Sequence, residues 1–159
     1  MKITVLAVGK IKEKFYTEAI REYAKRLSRY CELNITEADD EPTPENASLK
    51  QEVQIREREG ERLLAKIPAG AHVIALAIEG KPYDSLELSK HLSELTLGGK
   101  SHLIFVIGGS LGLSDEVLRR ADEKLSFSRL TFPHQLMRVI LLEQIYRSFR
   151  ISRGEPYHK

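Results

Sequence analysis

The 159-residue sequence predicts an α/β fold: a mostly parallel sheet flanked by helices. Three observations lead there. Strand-like and helix-like segments alternate along the chain. Two segments, His72–Ile78 and His102–Ile107, are near-continuous apolar runs, the mark of strands covered on both faces. Turn residues and helix caps follow each of them.

The elements can be taken in order. Lys2–Val8 reads as a buried strand closed by Gly9. Lys14–Arg29 reads as a helix, with Phe15, Ala19, Tyr23 and Leu27 on one face. Glu32–Ala38 alternates as a strand, and Pro42 and Pro44 keep Asp39–Glu45 out of helix. Asn46–Ile67 is a long charged helix capped by Asn46 or Ser48 and stopped by Pro68 and Gly70. His72–Ile78 is a strand, Gly80–Asp84 a turn, and Ser85–Leu97 a helix with Ser85 as its N-cap. His102–Ile107 leads into the glycine-rich turn Gly108–Leu113, and Ser114 caps a short helix. Phe127–Thr131 is the candidate for a last strand. Pro133 or His134 begins a final helix to about Phe149, and Ile151–Lys159 is a tail.

This length suits one domain. With 42% hydrophobic and 30% charged residues, the composition is that of a globular protein. The single cysteine, Cys31, excludes an internal disulfide framework and suits a reducing compartment. The lysines near the N-terminus break the pattern of a signal peptide, and no apolar run approaches the ~20 residues that span a bilayer. A cytoplasmic protein without a membrane partner is expected. The net charge of +2 is mild, but basic residues concentrate in the C-terminal third and acidic ones in Glu37–Glu45.

Ligands of open parallel sheets bind outside the carboxyl ends of the strands, which points to Leu76–Glu79 and Gly108–Gly112. The turn Gly108-Gly109-Ser110-Leu111-Gly112 reads either as a tight connection or as a ligand cradle. It is neither the dinucleotide fingerprint nor a P-loop, so nicotinamide and triphosphate ligands are disfavoured while an adenosine-type ligand stays open. The final helix is apolar around most of its circumference, which suits a homodimer interface or a central core helix. The tail Gly154–Lys159 reads as a frayed end or as a carrier of functional groups, since it sets the acid/base side chain of His158 beside Tyr157, which can donate or stack. The other histidines lack metal-ligand spacing, and no metal is expected.

Several segments together carry a family resemblance. They are Met1–Lys10, the Gly108–Gly112 turn, Leu125–Phe132, Phe132-Pro133-His134-Gln135-Leu136, Glu143–Arg147 and Pro156-Tyr157-His158-Lys159. With these the chain resembles, over essentially its whole length, the ribosomal RNA large subunit methyltransferase H family of the SPOUT superfamily. Ser148 stands where the family pattern suggests alanine. The resemblance implies an α/β trefoil knot in one domain, residues 1–159, with a knot-forming part at about 72–159. Chain-topology rules alone give an unknotted sheet. It further implies a homodimer, S-adenosyl-L-methionine as methyl donor, and N3 of a pseudouridine in helix 69 of 23S ribosomal RNA as acceptor, within the assembled ribosome.

Carried over by position, the donor pocket comprises Leu76, Gly108 and the loop Phe127, Ser128, Arg129, Leu130, Thr131 and Phe132. His158 is the candidate base or anion stabiliser, and Tyr157 positions the base ring. Arg138, Arg150, Arg153 and Lys159 are candidates for RNA contacts, with Arg129 a further cation for the backbone. The competing classes are a non-catalytic ribosome- or RNA-binding factor and another nucleotide-binding α/β enzyme.

Overall fold

The structure, a computed structural model, describes residues 1–159. Five strands form one parallel sheet in the order β2-β1-β4-β3-β5. They are β1 (Lys2–Val8), β2 (Glu32–Ala38), β3 (His72–Pro82), β4 (His102–Ile107) and β5 (Glu123–Ser126). The helices are α1 (Lys14–Leu27), α2 (Leu49–Leu64), α3 (Ser85–Leu97), α4 (Asp115–Arg120) and α5 (His134–Ser152).

The apolar runs serve two cores because successive side chains of a strand point to opposite faces. Ile3, Val5 and Ala7 of β1, with Leu103, Phe105 and Ile107 of β4, pack against Leu27, Leu88, Leu92, Leu141, Leu142 and Ile145 from α1, α3 and α5. Leu6, Val8, Ile104 and Val106 face the other way, onto Leu63 of α2 and Val117 of α4. No helix is long and apolar enough to cross a membrane.

Helices α1 and α2 are shorter than the sequence expectation and α5 runs on to Ser152, and three further differences have a clear local reason. The N-cap of α3 is Asp84, not Ser85: its carboxylate accepts the Glu87 N–H at 2.7 Å, and the Glu87 side chain accepts the Asp84 N–H in return. Ser85 Oγ instead donates to Gln144 on α5. The last strand is Glu123–Ser126, not Phe127–Thr131. Hydrogen bonds decide this: Asp122 N–H donates to Val73 O, and the Asp122 carboxylate accepts Val73 N–H. Phe127 and Phe132 spend their apolar area on a cavity instead of a ladder.

The third difference is in β3, which continues through Gly80–Pro82 where a plain turn was expected. Leu76 and Lys81 both pair with Leu125, so the residues between them arch out of register. A Cβ on Gly80 would stand 2.7 Å from the backbone of Leu125 and Lys124. Only glycine lets the two segments meet this closely.

A candidate functional site at the strand ends

Three chain segments converge beyond the carboxyl ends of β3, β4 and β5. The β3 arch supplies Leu76, Ala77 and Ile78; the turn after β4 supplies Gly108–Gly112; the loop after β5 supplies Phe127, Ser128, Leu130, Thr131 and Phe132. Pro133, His134 and Met137 at the start of α5 close the base. The cavity measures about 690 Å³, within the usual range for small-molecule sites.

Its lining is mostly apolar and contains no lysine, arginine, aspartate or glutamate. It offers no counter-charge for a phosphate, so it suits a nucleoside-type ligand that lacks one. Of the residues expected here, Leu76, Gly108, Phe127, Ser128, Leu130, Thr131 and Phe132 share the lining, whereas Arg129 lies exposed outside it. The loop holds its shape through Leu130 N–H, which donates to Ser128 Oγ at 2.9 Å.

Gly108 acts on the turn rather than on the space in front of it. A Cβ there would meet the Gly112 carbonyl carbon at 2.7 Å and its oxygen at 2.9 Å. Gly109 and Gly112 form an isolated bridge, with Gly112 N–H donating to Gly109 O at 3.0 Å, and Gly112 has φ +83°. The wall is therefore backbone folded on itself.

His134 is the one titratable group in the lining, and its spacing gave no sign of this. Burial, reinforced by the Arg138 charge, depresses its pKa below the usual histidine range. A neutral imidazole is thus available beside the cavity at neutral pH.

The tail lies elsewhere. No residue beyond Met137 lines the cavity, and Tyr157 and His158 pack on the second half of α5. The Tyr157 ring sits edge-on to Tyr146 at 4.9 Å, its hydroxyl donates to Glu143, and Arg147 covers its face at 4.7 Å. Burial, with the Glu143 charge, pushes the Tyr157 phenol up, so it is a hydrogen-bond donor and not a base. Arg147 donates to His158 Nδ1 at 3.0 Å. Ten residues of helix separate Met137 from Arg147, about 15 Å at the α-helical rise.

The candidate RNA-binding cations divide. Arg138 is corrected outright: its side chain is 1% exposed, ion-paired to Glu37 at 2.6 Å, and donates to Gly9 O at 2.7 Å. It ties α5 to the end of β1 and is not available to a phosphate. Arg150 anchors the tail through Glu155 at 2.6 Å, the Tyr30 hydroxyl and Pro156 O. Arg129, Arg153 and Lys159 are exposed, Arg153 lying over the Tyr30 ring.

The profile of a family described as "Predicted SPOUT methyltransferase" matches residues 1–158. The chain belongs to the SPOUT methyltransferase family. Among curated relatives of this SPOUT protein, "Ribosomal RNA large subunit methyltransferase H" of Clostridioides difficile (strain 630) is 60% identical over 159 residues, covering all of both chains. The protein of the same name in Clostridium acetobutylicum is 58% identical, again over all of both chains. Among solved structures, a probable methylase family protein from Haemophilus influenzae Rd KW20 matches with a TM-score of 0.53 at 10% identity, covering 99% of this chain and 70% of that one. That likeness concerns the fold.

Proposed function

We propose that this SPOUT methyltransferase transfers a methyl group from S-adenosyl-L-methionine to N3 of a pseudouridine in helix 69 of 23S ribosomal RNA, in the cytoplasm and on the assembled ribosome. The observation that carries the reading is the phosphate-unfriendly cavity at the strand ends of a chain with full-length relatives named for large-subunit ribosomal RNA methylation. Bound there, S-adenosyl-L-methionine supplies an electrophilic methyl on a sulfonium. The cavity's task is alignment: Leu76, the Gly108 turn and the Phe127–Phe132 loop hold the donor so that the acceptor nitrogen meets the methyl in line at ~3–3.5 Å. Their apolar surface excludes water, which favours a step that neutralises charge.

An imide nitrogen needs its proton removed or its anion stabilised. His158 serves there as base or anion stabiliser, while Tyr157, a protonated phenol, positions the base ring. Both lie far from their own chain's cavity, so they serve the cavity of a homodimer partner. Two features support the dimer: Ile78 and Leu130 stand exposed at the cavity, and Leu136, Val139 and Ile140 leave apolar surface on α5 half-covered. Arg129, Arg153 and Lys159, with part of Arg150, contact RNA phosphates. The single domain 1–159, with residues of about 72–159 threaded as a trefoil knot, belongs to the same reading.

The test is incubation of the protein with labelled donor and ribosomes that lack the modification, followed by mass spectrometry of the RNA. One methyl on N3 of a helix 69 pseudouridine is expected, with little on naked RNA. Absence of label, or label on another atom, contradicts the reading. In the same assay His158→Ala loses turnover while donor affinity holds; unchanged turnover removes His158 from the mechanism.

A further inference from the structure

Glu59 of α2 is 5% exposed and faces the glycine turn. A Cβ on Gly109 would lie 3.3 and 3.4 Å from its two carboxylate oxygens. Gly109 lines the cavity and Glu59 does not, so one glycine separates a buried carboxylate from the ligand space. Oε2 accepts the Glu41 N–H at 3.0 Å, whereas Oε1 is buried without a partner. Such an orphaned acceptor is costly, and an apolar side chain would fill the same space without it.

The surroundings do not neutralise this group. Asp40 and Glu41 approach it from the segment after β2, and both are acidic. Arg62, on its own helix, is engaged by the Glu41 carboxylate. The turn presents Gly109 and β1 presents Val8, neither charged. Burial pushes the Glu59 carboxyl up, with the Glu41 N–H pulling it partly back.

We propose that Glu59 is a specificity-determining residue: its carboxylate, behind Gly109, favours a cationic sulfonium donor over the neutral thioether left after methyl transfer. The inference rests on the reading of the cavity as a donor site. Donor and product differ by one methyl and one positive charge. The lining holds no charge of its own that distinguishes them. A buried carboxylate one residue behind the wall acts through a poorly screened medium, so it reaches the ligand without touching it. It would hold the donor and ease release of the product.

Calorimetric titration of S-adenosyl-L-methionine and S-adenosyl-L-homocysteine into the full-length protein and into Glu59→Gln and Glu59→Asp decides the matter. Glutamine keeps the volume and the acceptor for Glu41 N–H. At pH 8.5 Glu59→Gln is expected to lose at least about threefold of the donor-over-product preference, through weaker donor binding at nearly constant product affinity. Glu59→Asp restores most of it. As pH falls the wild-type preference drifts toward the glutamine variant, because the carboxyl takes up a proton, while the variant's own preference holds. Equal weakening of both ligands, or an unchanged ratio, overturns the inference and leaves Glu59 as a prop for the turn. A wild type that binds neither ligand overturns the donor-site reading itself, and this inference with it.

Discussion

At the N-terminal end of α5, the cavity wall is glycine backbone and apolar side chains, with His134 as the only titratable member. At the C-terminal end, the tail is held by charge and aromatic contacts: Arg147 with Glu143 and His158, Arg150 with Glu155, and Tyr157 on Tyr146. One helix thus carries a site that excludes charge and a tail that concentrates it, about 15 Å apart along its axis. On the proposed reading, this separation makes a single chain present two half-sites. The dry half suits a sulfonium, and the charged half suits the activation of an imide and the holding of RNA.

The largest effect is expected from breaking the dry half. Gly108→Ala places a methyl against the Gly112 backbone, which cannot yield as a flexible side chain would. Donor affinity should fall at least about tenfold in a titration, the equivalent of roughly 1.4 kcal/mol. Wild-type affinity would show that the turn does not form the wall.

Next comes the joint between the halves. Replacing Arg138 with methionine fills its volume but leaves Gly9 O without a donor and Glu37 without its cation. Glu37 is 38% exposed and water screens its charge, so the loss comes mainly from the stranded carbonyl: about 2 kcal/mol, or a fall of roughly 4–8 °C in melting temperature for a chain of this size. A shift within about 2 °C would mean that α5 is held to β1 by other contacts.

A smaller effect concerns His134. Its folded pKa is depressed below 6.5, so the fold prefers the neutral ring. The resulting stability is fully present above pH 6.5 and is lost as pH falls below that value. Between pH 7.5 and 5.5, His134→Gln should therefore lose less stability than the wild type in denaturant melts. Parallel curves would place the ring in open solvent.

Much of this architecture was legible in the sequence. β1 and β4 are bounded as expected because they are buried on both faces, where hydrophobic burial dominates every other signal, and the edge strand β2 because its side chains alternate. The position of the cavity at the strand ends follows from the parallel topology and the glycine turn. What escaped notice depends on partners distant in the chain. Asp122 decides β5 by pairing with Val73, and the Gly80 arch is fixed by Leu125. Arg138 looked like a surface cation because its partners, Glu37 and Gly9, are about a hundred residues or more away. Glu59, in a run of alternating charges, reads as a solvated helix face until the fold sets Gly109 against it.

The most direct test of the two-half account pairs a chain that lacks one half with a chain that lacks the other. Gly108→Arg disables the cavity and keeps the tail; His158→Ala disables the tail and keeps the cavity. Each homodimer should be inactive on ribosomes. The purified heterodimer, carrying one intact cavity opposite one intact tail, should recover about half the wild-type turnover, one site of two. A heterodimer as inactive as its parents would contradict the account and require cavity and tail to act within one chain.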